Sequence, residues 1–68
     1  MEIFAKRLKE LRLEKGETLR SMGELLGINN AAYYHYETGK HQPTMETILK
    51  IAEHFGVSTD YLFGKSDV

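Results

Sequence analysis

The stretch TLRSMGELLGINNAAYYHYETG, Thr18 to Gly39, decides how this chain is read. It holds two short helical patterns separated by Gly27-Ile28-Asn29. In the first, Thr18 can accept hydrogen bonds from the opening backbone N–H groups, and Met22, Leu25 and Leu26 recur at helical spacing as far as Leu26. In the second, Asn29 is the expected N-cap of a helix reaching Thr38, and Gly39 supplies the left-handed residue that closes it. Tyr33 and Tyr34 lie about 100° apart on such a helix and cannot both point inward. Tyr33 and Tyr36, three apart, are therefore assigned to the core and Tyr34 to the outside. Gly23 falls inside the first of these helices, where glycine costs about 1 kcal/mol against alanine. A close approach of the two helices at that position accounts for it.

A tight glycine turn that sets two short helices at a large angle is a helix-turn-helix arrangement. Working outward, a first helix over about Ile3 to Lys15 places Phe4, Leu8 and Leu11 on one face and is stopped by Gly16. After a loop from Lys40 to Pro43, Thr44 caps a fourth helix with the apolar stripe Ile48, Ile51, Ala52 and Phe55, and Glu46 and Lys50 are expected to pair along it. Gly56 ends that helix, and Ser58 caps a single turn, Thr59 to Phe63, before Gly64. No alternating run or hairpin signal marks a strand. The expected fold is thus all-α, five helices in one domain over residues 1–64, with 65–68 a polar tail or the start of a linker.

Composition narrows the function. Sixty-eight residues without cysteine and with one proline make a single small domain that must be stabilised by helix packing, with dimerisation available to supply the remainder. No apolar run approaches a membrane span and the first residues are charged throughout, so a soluble, cytoplasmic chain is expected. Nine basic residues against ten acidic ones give a net charge of −1, unlike the strong basic excess usual in nucleic-acid binders. The charge is graded, however: residues 1–15 carry five basic and three acidic side chains, and residues 41–68 carry two and four. The three histidines, His35, His41 and His54, have no metal-ligand spacing, and no carboxylate pair suggests acid–base work, so neither an enzyme nor a metal or other cofactor is expected.

Glu24-Leu25-Leu26-Gly27-Ile28-Asn29 following Thr18, then Tyr36-Glu37-Thr38-Gly39-Lys40, Pro43-Thr44-Met45-Glu46-Thr47-Ile48, Phe55-Gly56-Val57-Ser58 and Asp60-Tyr61-Leu62 resemble the Cro and phage-repressor type helix-turn-helix family over about Leu8 to Gly64. The resemblance implies a compact lambda-repressor-like domain. Its third helix would enter the major groove of double-stranded DNA as part of a transcriptional repressor, acting as a two-fold dimer on a pseudopalindromic operator. The base-reading positions then fall on Asn30, Ala31, Tyr34 and His35. Their chemistry suits base reading, since asparagine pairs with adenine N6 and N7, alanine packs on a thymine methyl, and histidine donates to guanine. Thr18, Asn29, Thr38, Lys40, His41 and Gln42 match phosphate-contacting positions. Where the family has a glutamine this chain has Leu19, which removes a phosphate anchor and part of a capping box, and Arg20 is the candidate substitute.

The resemblance also implies an ion pair between Arg12 and Glu37, which would neutralise a carboxylate beside the phosphates while leaving guanidinium donors for DNA. Tyr61 and Phe63 offer more aromatic surface than a single turn can bury and are the expected dimer interface. The competing reading is an antitoxin-like or other protein-interaction module built on the same fold.

Overall fold

The computed structural model describes residues 2–68. Five helices follow one another: α1 (Glu2–Glu14), α2 (Leu19–Leu26), α3 (Asn30–Thr38), α4 (Met45–Phe55) and α5 (Thr59–Leu62), with no strand among the described residues. The starts are set by side-chain caps. Asn29 Oδ1 accepts from Ala32 N at 2.8 Å, Thr44 Oγ1 from Thr47 N at 3.3 Å, and Ser58 Oγ from Tyr61 N at 2.9 Å. At α2 the capping box is complete: Thr18 Oγ1 accepts from Ser21 N at 2.9 Å and Ser21 Oγ accepts from Thr18 N at 3.0 Å. The box expected to be incomplete is therefore made by a serine, whose short hydroxyl reaches the cap without a glutamine.

Two glycines fix the turn between α2 and α3. Gly27, at φ +72°, lets its own N–H return to Glu24 O at 3.3 Å, and the next N–H, from Ile28, reaches Gly23 O at 2.9 Å. Gly23 is buried where the helices cross, and a Cβ on it would lie 2.7 Å from the Ile28 carbonyl oxygen. The glycine inside a helix thus has the packing reason the sequence suggested.

The core joins Phe4 and Leu8 of α1, Met22 of α2, Tyr33 of α3, Ile48, Ile51 and Ala52 of α4, and Leu62 of α5. Leu11, Leu25, Leu26, Tyr36 and Phe55 close over it half-buried. Tyr36 is thus at the rim rather than inside, its ring edge-on to Tyr33 at 6.3 Å between centroids. The Glu46–Lys50 pair is not made: the ion pairs among the described residues are Arg12–Glu37, Arg20–Glu24 and Glu17–His54.

Glu17 ties the α1–α2 turn to the end of α4, accepting from the His54 ring and from Ser21 Oγ at 2.9 Å. The hydrogen bond to His54 holds the Glu17 carboxyl below the usual carboxylate range, against the opposing effect of partial burial. A carboxylate depressed in the folded state contributes stability above its unfolded pKa and loses it as pH falls through the folded value. Glu17→Gln is therefore expected to flatten the acid side of the stability profile below about pH 5, checked by urea midpoints measured between neutral and acid pH.

Candidate nucleic-acid interface

The position of α3 is set from beneath by a buried polar cluster. Arg12 Nε donates to Glu37 Oε2 at 2.6 Å and Nη2 to Oε1 at 3.1 Å, and the Tyr33 hydroxyl donates to the same carboxylate. The Glu37 side chain is only 1% exposed, so its charge depends on these donors. Hydrogen bonding to Glu37 raises Arg12 above its ordinary value, and burial together with Glu37 pushes the Tyr33 phenol up, so both groups remain protonated donors.

The third Arg12 nitrogen, Nη1, donates to Glu17 O at 3.0 Å, and the side chain is 11% exposed. Three of its five N–H donors are thus engaged inside the domain, and the pair acts as a strut from α1 to α3. Sequence gives no sign of the Tyr33 hydroxyl's part in this, because an inward tyrosine at helical spacing reads simply as core.

On the opposite side, α3 presents Asn30, Ala31 and Tyr34 to solvent, with His35 half-buried. Asn30 opens the helix, and its Oδ1 lies over the α2–α3 crossing, 3.5 Å from where a Gly23 Cβ would stand. The loop that follows is pinned at both ends. Thr38 Oγ1 donates to His35 O at 3.2 Å and accepts from Lys40 N at 3.4 Å, His41 N reaches His35 O at 3.2 Å, and Pro43 is buried. Between those ends Lys40, His41 and Gln42 are exposed, and the His41 ring stands edge-on to His35 with 5.0 Å between centroids. The structure therefore gathers Asn30, Ala31, Tyr34, His35 and the 38–42 loop along one helix and its continuation. Thr18 and Asn29 are exposed but already engaged as caps. Arg20 is exposed on α2, 3.5 Å from Glu24, a surface pair of the kind worth little. Asn29→Ala is expected to lower stability by about 1 kcal/mol through loss of the cap, measured by thermal unfolding.

Tyr61 and Phe63 each pack in part against α1. Phe63 stacks on Phe4 with 5.6 Å between centroids, and the Arg7 guanidinium lies 4.2 Å from the Tyr61 ring centroid while donating to Tyr61 O and, at 2.8 Å, to Ser66 O. Both side chains are half-buried, packed in part on α1 of the same chain.

A five-helix domain with a capped, glycine-turned α2–α3 pair and an exposed polar face on α3 is a helix-turn-helix domain. The chain belongs to that family, whose model, described as helix-turn-helix, matches residues 8–62. It is 42% identical over 60 residues to the SPbeta prophage-derived HTH-type transcriptional regulator YonR of Bacillus subtilis, covering 88% of this chain and 56% of that protein. It is 43% identical over 65 residues to the HTH-type transcriptional regulator ImmR of the same organism, covering 96% and 51%. With the cryptic phage CTXphi transcriptional repressor RstR of Vibrio cholerae it shares 37% identity over 59 residues, covering 87% and 53%. The chain spans about half the length of these curated relatives. Among solved structures, the P22 c2 repressor protein in complex with synthetic operator 9T superposes with a TM-score of 0.85 at 21% identity, covering 97% of this chain and all of that one. At that identity the likeness is one of fold.

Proposed function

We propose that this domain binds double-stranded DNA in a sequence-specific manner and serves a transcriptional repressor, with α3 in the major groove and two copies on a pseudopalindromic site. The observation that carries this reading is the joint exposure of Asn30, Ala31 and Tyr34 on α3, continuous with a pinned loop that offers Lys40, His41 and Gln42. Asn30, Ala31, Tyr34 and His35 read base edges, Asn30 as a bidentate partner of adenine. Thr18, Arg20, Asn29, Thr38, Lys40, His41 and Gln42 set register on the phosphates through side chains and backbone N–H groups. The names of the relatives, transcriptional regulators and a phage repressor, support the assignment.

Two substitutions separate the roles. Asn30→Ala is expected to cost about 1–3 kcal/mol of binding and to relax preference at one base pair. Lys40→Ala is expected to weaken all sequences alike and to make the slope of log affinity against log salt shallower by about 1 per protomer. Fluorescence titrations on specific and mixed duplexes over a salt series check both. Equal sequence dependence in the two variants would contradict the division of labour.

The net charge of −1 favours a second reading, a protein-interaction module. The same titrations discriminate, since a DNA binder loses affinity along a log–log line with salt and a protein-only module shows no binding.

A further inference from the structure

Two large apolar side chains on α4, Met45 and Leu49, are 61% and 55% exposed, although Ile48, Ile51 and Ala52 of the same helix are buried in the core. Residues four apart lie on one face about 6 Å apart along the axis, so Met45 and Leu49 form a short apolar ridge. Beside it Glu46 and Lys50, also four apart, are exposed, and neither takes part in an ion pair among the described residues.

We propose that this face is covered by a second copy of the chain, packed antiparallel about a two-fold axis near Thr47 and Ile48. Met45 of each copy then meets Leu49 of the other, and Glu46 of each meets Lys50 of the other. The pattern is self-complementary in that sense alone: a parallel pairing sets Glu46 on Glu46 and Lys50 on Lys50, whereas the two-fold antiparallel pairing matches apolar to apolar and acid to base on both sides. Tyr61 and Phe63 are half-buried against α1, whereas Met45 and Leu49 stand largely exposed on the helix that follows the 40–43 loop after Thr44. A two-fold axis here therefore keeps both loops near the centre of the pair, as the dimeric DNA-binding reading, on which this rests, requires. Two apolar side chains and one ion pair per copy make a small interface beside the roughly 1,200 Å² of stable complexes. The free chains associate weakly, and adjacent half-sites raise the local concentration that pairs them.

The test needs no DNA. Amide spectra of the whole chain, recorded from micromolar to millimolar concentration with sedimentation equilibrium alongside, should show concentration-dependent shifts centred on Met45 to Lys50. Glu46→Lys and Lys50→Glu should each weaken association by about tenfold, and an equimolar mixture of the two should recover it. In the mixture every contact between copies is again acid on base, although each chain still carries like charges four apart, so recovery reports contact between copies rather than helix stability. A chain that stays monomeric to millimolar concentration, shifts centred on another face, or a mixture no tighter than its components overturns the proposal. Loss of association with DNA binding intact removes this interface alone; association without DNA binding removes the DNA-binding reading and leaves the interface standing.

Discussion

Replacing Arg12 with methionine is expected to remove about 3–5 kcal/mol of stability, a large part of what 68 residues hold at about 0.05–0.15 kcal/mol each. The size comes from what is left behind. The Glu37 carboxylate is 1% exposed, and without the two guanidinium donors it is a buried charge with only the Tyr33 hydroxyl as partner. A double variant, Arg12→Met with Glu37→Gln, removes the charge while keeping an acceptor for Tyr33, and it is expected to be more stable than Arg12→Met alone. Urea unfolding of the three proteins with a common m-value measures this. A double variant no more stable than the single one would show that the cost lies in lost arginine packing rather than in the stranded carboxylate.

Gly23→Val is the second large effect. Valine brings a Cβ to within 2.7 Å of the Ile28 carbonyl oxygen, and that atom is backbone, so the turn or the helix must move. Overpacking of this kind costs about 1–3 kcal/mol. Alanine is the sharper control, because helix propensity alone favours it over glycine by about 1 kcal/mol, whereas the contact distance makes it destabilising here. Displacement of Ile28 and Asn29 also moves the start of α3, so DNA affinity should fall further than the loss of folded protein explains. A rise in melting temperature for Gly23→Ala would show that the crossing is looser than its geometry indicates.

Most of the architecture is legible in the sequence because it is written locally. Thr18, Asn29, Thr44 and Ser58 each precede an apolar-periodic run, and each caps its helix. Contacts between elements distant in sequence leave no such trace. The Arg12–Glu37 strut follows from the family resemblance, not from spacing, and the Tyr33 hydroxyl that completes it is hidden by its place on a core face. The Glu17–His54 contact spans 37 positions between two unremarkable polar residues. The partial burial of Tyr61 and Phe63 is likewise hidden, because only the folded chain shows Arg7 and Phe4 reaching across to them. The outward position of Tyr34 on α3 is readable, since 100° per residue leaves no choice once Tyr33 is inside.

Everything functional here depends on whether α3 and the loop after it read a DNA sequence. Selection of bound fragments from a random duplex library decides the matter. Enrichment of two related half-sites centred about 34–36 Å apart, one helical turn, is expected, with Asn30→Ala losing preference at one position in each half-site. Binding that enriches no sequence, or no binding at low salt, would overturn the reading of α3 as a recognition helix.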